Sequence, residues 1–91
     1  MSNTITFNTG RTYTEFGQRI AARRLASGAV VMVDIDRGID YLLPVDTELN
    51  QRAVMRAYDD NEVIYPSDYE ISDYYTTRNE LRTVAATVNS I

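Results

Sequence analysis

The chain is 91 residues long, holds no cysteine, histidine or lysine, and sets nine arginines against thirteen acids for a net charge of −4. That length suits one domain with a modest core, and an apolar share of 44 % with 24 % charged residues is that of a soluble globular chain. Without histidine and cysteine the usual general base, thiolate nucleophile, zinc site and disulfide are excluded, and without lysine so is Schiff-base chemistry.

The opening residues, MSNTITFNTGR, lack the basic start and apolar stretch of a secretory signal, and no apolar run approaches a membrane span. Cytoplasmic residence is the expectation. Ile5-Thr6-Phe7 alternates apolar and polar, and Asn8-Thr9-Gly10 has turn chemistry leading into Arg11-Thr12-Tyr13, which predicts a short hairpin with Gly10 at positive φ. Residues 18–25 suit neither a clean helix nor a clean strand. Gly17 and Arg24 count against the helix, and Ser27-Gly28, placed before an obvious strand, favours a strand. That strand is Ala29–Ile35, continuous and β-branched, so it requires cover on both faces. Asp36-Arg37-Gly38 offers the turn, Ile39–Leu43 the returning strand, and Pro44 its end.

A helix is predicted next, capped by Asp46 or Thr47, with Leu49, Ala53 and Ala57 at helical spacing, Val54 alongside, and Arg52 and Arg56 one turn apart. Glu62–Tyr65 reads as a short extended piece stopped by Pro66. From Asp68 a strand period places Tyr69, Ile71, Asp73 and Tyr75 on one side and Asp68, Glu70 and Ser72 on the other. Thr77-Arg78-Asn79-Glu80 has capping-box spacing, and Leu81, Val84, Val88 and Ile91 predict a closing amphipathic helix. The fold class expected is α+β: an antiparallel sheet of N-terminal hairpins with two helices packed on it.

Charge divides along this chain. Residues 1–33 hold four arginines and one acid, net +3, whereas residues 34–91 hold five arginines and twelve acids, net −7. The densest acidic stretch is Ala57–Tyr75, with Tyr58, Asp59, Asp60, Glu62, Tyr65, Asp68, Tyr69, Glu70, Asp73, Tyr74 and Tyr75 and no arginine. Tyrosine gives rigid, amphipathic contact area, so this composition suits a protein-binding surface better than a catalytic centre. On a strand, carboxylates along one face would stand roughly 6.8 Å apart, a spacing comparable in scale to neighbouring phosphates.

Three other patterns point elsewhere. Arg11, Arg19, Arg23 and Arg24 would form a nucleic-acid-binding face if the hairpin joined them, against which stands a sequence pI of about 4.6. Asp34-Ile35-Asp36 with Asp40 has the form of a carboxylate pair that holds a divalent ion beside phosphates, but no phosphate loop accompanies it. Asp59-Asp60-Asn61-Glu62 lacks the ligand spacing and central glycine of a calcium loop.

The small size, the missing catalytic set and the stretch Ala57–Tyr75 resemble small accessory proteins of phages and mobile elements. Among these are inhibitors of host defence of the anti-CRISPR and anti-restriction type, which act by binding. The resemblance implies a non-enzymatic inhibitor or adaptor, without cofactor or metal, that meets a basic nucleic-acid-handling host protein or nucleoprotein complex in the host cytoplasm. The alternatives are an Arg-face nucleic-acid binder or transcriptional regulator and, more weakly, a carboxylate-metal phosphate-handling enzyme. Millimolar Mg²⁺, Ca²⁺ or Mn²⁺ is therefore expected to leave the thermal midpoint unchanged. An ion present at 100 times its Kd would add about 2.7 kcal/mol, so an ion-selective rise would revive the enzyme reading.

Overall fold

A strand reading Val-Val-Met-Val has no polar side to show to water, and the fold covers it from both directions. In the computed structural model, which describes residues 3–6, 12–17, 19–60 and 63–88, five strands form one antiparallel sheet in simple sequential order. They are β1 (Asn3–Thr6), β2 (Thr12–Gly17), β3 (Ile20–Arg24), β4 (Val30–Asp34) and β5 (Ile39–Leu43). Helix α1 (Gln51–Asp59) and helix α2 (Ile71–Val88) follow. The architecture is α+β with N-terminal hairpins. The turn at 7–11, with Gly10, lies outside the described residues.

Residues 20–24 do form a strand. It pairs with β4 in unbroken register from Ile20 opposite Asp34 to Arg24 opposite Val30. Alternation then sorts side chains to two faces. Tyr13, Ala21, Leu25, Val31, Val33 and Leu42 meet Leu81, Val84 and Ala85 of α2, while Phe16, Ile20, Ala22, Val30, Met32 and Leu43 meet Val54 and Ala57 of α1. All five residues of β4 are buried, as its composition demands. Each Val, Leu or Met so covered contributes about 1.5–3 kcal/mol.

The turns are chemically specified. Leu25 accepts from the Gly28 amide at 2.9 Å, and Gly28 has φ +100. Between β4 and β5 the Asp34 carboxylate accepts from the Arg37 amide at 3.1 Å, and Gly38 takes φ +68.

Helix boundaries differ from expectation in two places. The N-cap of α1 is Asn50, whose side chain accepts from the Ala53 amide at 2.9 Å, rather than Asp46 or Thr47. Thr47 is buried in the preceding turn, and its carbonyl accepts from Arg24. More consequentially, the strand expected from Asp68 is absent. Residues 71–88 are a single helix, and Thr77, expected as its cap, lies fully buried inside it. The actual start is Ser67-Asp68-Tyr69-Glu70: the Glu70 carboxylate reaches back to the Ser67 amide at 3.0 Å, and the Glu70 amide donates to the Ser67 carbonyl at 3.0 Å. This is the return arm of a capping box. Tyr74, Thr77, Leu81, Val84 and Ala85 then fall at three- and four-residue steps against the sheet. Burial along that stripe overrides the strand preference of Tyr and Ile.

Gly28 and Gly38 separate conformation from crowding. A Cβ on Gly38 would meet nothing within 4 Å, whereas one on Gly28 would sit 3.0 Å from Cγ1 of Val45. Gly38→Ala is expected to cost about 1–2 kcal/mol from the left-handed backbone alone. Gly28→Ala should cost more, and Val45→Ala should return part of the difference, read by urea denaturation of the two single variants and the double variant.

Candidate functional site

The extended piece at 63–66 carries the chain across the β5 edge. Its anchor is the Ile64 amide, which donates to the Leu42 carbonyl at 2.8 Å. Because α1 lies on one face of the sheet and α2 on the other, the stretch from Ala57 to Tyr75 passes around that edge. It leaves Val63, Ile64, Tyr65, Tyr69, Ile71 and Tyr75 in solvent. Tyr65 is 94 % exposed and Tyr69 79 %, both far beyond what a core residue shows. Asp59, Asp60 and Asp68 are exposed along the same path.

The remaining candidates serve the fold. Tyr58 packs edge-on to Tyr41 at 4.9 Å, and Arg37 lies over its ring at 5.4 Å. Glu70 is buried; besides the Ser67 amide it accepts from the Ser27 hydroxyl in the turn between β3 and β4. These donors hold its carboxyl below the ordinary range, the Ser27 hydroxyl contributing most and the Ser67 amide next. Asp73 is half-buried 3.8 Å from Arg23, and Tyr74 packs against the α2-side core. Glu62 lies outside the described residues. The row of evenly spaced carboxylates that a strand would have made does not exist here, since Glu70 is buried in the turn that leads into α2 and Asp73, on α2, lies half-buried beside Arg23.

The arginine alternative is dispersed. Arg24 points to the α1 side, donating to the carbonyls of Gly28, Val45 and Thr47. Arg23 points to the α2 side, over the Tyr13 ring at 5.8 Å and within 3.3 Å of the Thr77 hydroxyl. Arg19, at φ 59, sits 3.3 Å from Asp36, and Arg11 lies outside the described residues. The three aspartates of the would-be cation site are likewise committed: Asp34 to Arg37, Asp36 to Arg19 and Asp40 to Arg82. Asp34 initiates the turn between β4 and β5 from a buried position. Among the described residues no group of three acids comes together to hold a metal ion.

Reading the acids first missed Arg78. Its guanidinium lies 4.6 Å from the Tyr75 ring centroid and 5.9 Å from that of Tyr74. The signal was Tyr74-Tyr75-x-x-Arg78, an i,i+3 and i,i+4 grouping that has meaning only on a helix. Ile64 and Ile71 were also passed over as surface because isoleucine is ordinarily read as core.

Glu70 sets a pH expectation. Its folded pKa is depressed, so its stabilisation is complete above the unfolded value of about 4.3 and is lost as pH falls through the folded value. Glu70→Gln should be less stable than the parent at neutral pH and should show a flatter loss of stability on acidification below about pH 4.5, by thermal melts across pH. Asp68→Asn, at an exposed carboxylate, should leave the parent profile unchanged. No protein-family model, curated protein or solved structure matches the chain.

Proposed function

We propose that this protein is a non-enzymatic binding protein, an inhibitor or adaptor of phage or mobile-element type. It engages a basic, nucleic-acid-handling host protein such as a CRISPR or restriction complex. The contact is the surface carried around the β5 edge. The observation that supports this most is the solvent exposure of Tyr65 and Tyr69 beside Ile64, Ile71 and Tyr75. Aromatic and aliphatic side chains exposed together along one short stretch suit an interaction surface.

The division of labour follows from burial. Asp59, Asp60 and Asp68 stand exposed along the path, where charge steers encounter with a basic partner and is screened by salt. Tyr65 and Tyr69 supply area that becomes buried on binding, and buried tyrosines carry much of the affinity at interfaces. Glu70 and Asp73 belong to the fold and contribute no free charge to the rim.

The test is capture from host lysate, followed by kinetics on the purified partner. Reversing Asp59, Asp60 and Asp68 to arginine should slow association and weaken its salt dependence, with dissociation little changed. Tyr65→Ala and Tyr69→Ala should instead speed dissociation, each by about 30-fold if it is a hot spot of about 2 kcal/mol. Circular dichroism must show each variant folded. A partner held equally well by the charge-reversed and tyrosine variants would make this stretch a solvated face and remove the reading.

A further inference from the structure

Most arginines of this chain have their charge or their donors answered from within. Among the described residues, Arg19, Arg23, Arg37 and Arg82 each lie within 4 Å of a carboxylate, and Arg24 donates to three carbonyls. Arg52 and Arg56 are exposed on α1, beside a groove of about 320 Å³ that Asp46, Glu48 and Asp60 also line. Arg78 differs from all of these. It is half-buried, its guanidinium carbon lies 4.6 Å from the Tyr75 ring centroid and 5.9 Å from that of Tyr74, and its Nε, like that of Arg19, is buried without a hydrogen-bond acceptor. No carboxylate pairs with it among the described residues, and its polar neighbour is the Tyr74 phenol.

Helix geometry explains how this arises. The acids of α2, Asp73 and Glu80, are taken up by the sheet, one by Arg23 and the other by the Tyr13 hydroxyl. A separate stripe of the helix carries Ile71 and Tyr75, both exposed, the half-buried Arg78, and Arg82, which is already held by Asp40. A guanidinium left partly desolvated and unpaired is costly in the free protein. Contact with the Tyr75 ring, with that of Tyr74 close by, also removes part of the side-chain freedom that binding would otherwise cost. The residue is thus pre-ordered, cationic, and set beside two tyrosine rings.

We propose that Arg78, held by Tyr74 and Tyr75, is a receptor for one carboxylate of the partner protein, an Asp or Glu flanked by apolar residues. The assignment rests on the protein-binding reading above and refines it: a basic patch meets the acidic rim, and within it one acid meets Arg78. Charge complementarity selects a carboxylate, and the Tyr74 and Tyr75 rings beside the guanidinium, with Ile71 exposed on the same helix, select a protein surface. A nucleic-acid strand would need several unpaired cations in a row to hold its phosphates, and this face offers one.

The experiment uses the whole chain, immobilised, and a displayed library of random 12-residue peptides as the probe. Selected peptides should be enriched in Asp or Glu next to aromatic or aliphatic residues. Synthetic copies should bind at least tenfold more weakly when that acid is changed to Asn or Gln, and equally so to Arg78→Gln. Arg78→Lys keeps the charge without the planar fork and should recover only part of the loss, and Tyr75→Leu should weaken binding at unchanged charge. Circular dichroism and thermal melts check folding of each variant. Selected peptides without an acid, or binding to Arg78→Gln within twofold of the parent, would overturn the assignment. So would Arg78-dependent retention of a labelled oligothymidylate, which would make the ligand a phosphate. The Asp59, Asp60 and Asp68 reversal separates the two readings: with the purified host partner, loss on rim reversal but not on Arg78→Gln leaves the binding surface standing and removes the receptor.

Discussion

The constraint on which the structure depends is the double burial of β4. A strand with Val30, Val31, Met32 and Val33 in succession must be roofed on both faces, and 91 residues allow only one helix for each. The chain therefore spends its first half building an antiparallel meander in which β4 is interior, then places α1 on one side and α2 on the other. Moving between those sides requires passing a sheet edge, and the passage over β5 is made in extended form through the bond from Ile64 to Leu42. The exposed aromatic stretch is thus a product of the need to cover one strand twice.

Polar ties then register α2 on its face. Ser27 binds Glu70 at the helix start, Arg23 binds Asp73 and Thr77 one turn on, Tyr13 binds Glu80, and Asp40 binds Arg82. Each joins a residue of the sheet or its turns to one of the last helix. The division of charge between the two parts of the sequence is partly satisfied in this way, within the molecule. A half-exposed ion pair adds little energy on its own, but a line of specific partners selects one rotation of the helix over others. That rotation brings the acids of α2 to partners on the sheet and leaves Tyr75 exposed with Arg78 beside it.

The two edges of the sheet are treated differently. β5 is covered by 63–66, whereas β1 presents Thr4 and Thr6 in solvent next to the Thr12 of β2. Covering an edge strand suppresses adventitious pairing, and here the cover itself bears the exposed Tyr65. Protection of the fold and presentation of the contact surface are accomplished by the same few residues.

Much of the sheet was legible because its signals are local. Apolar runs of strand length, Asp36-Arg37-Gly38 before Ile39 and Pro44 at the end of β5 require no distant partner to be interpreted, and residues 20–24 followed once their neighbour was known. The Ala57–Tyr75 stretch was legible as composition only. Its tyrosines and acids announce a surface, but which of them reach water depends on whether the backbone advances by two or by 3.6 residues per repeat. That choice lay with Ser67 and Glu70 closing a helical turn and with Thr77, Leu81 and Val84 finding the sheet. The sequence alone determined the antiparallel hairpins, the two-sided cover of β4 and the absence of histidine and thiol chemistry, whereas the sequential order of five strands came from the structure. Only the tertiary structure decided that Glu70 is buried and Asp73 meets Arg23 while Tyr65 and Tyr69 face outward, because burial of a helical stripe against a preformed sheet outweighs the strand preference of an isolated tyrosine-rich segment.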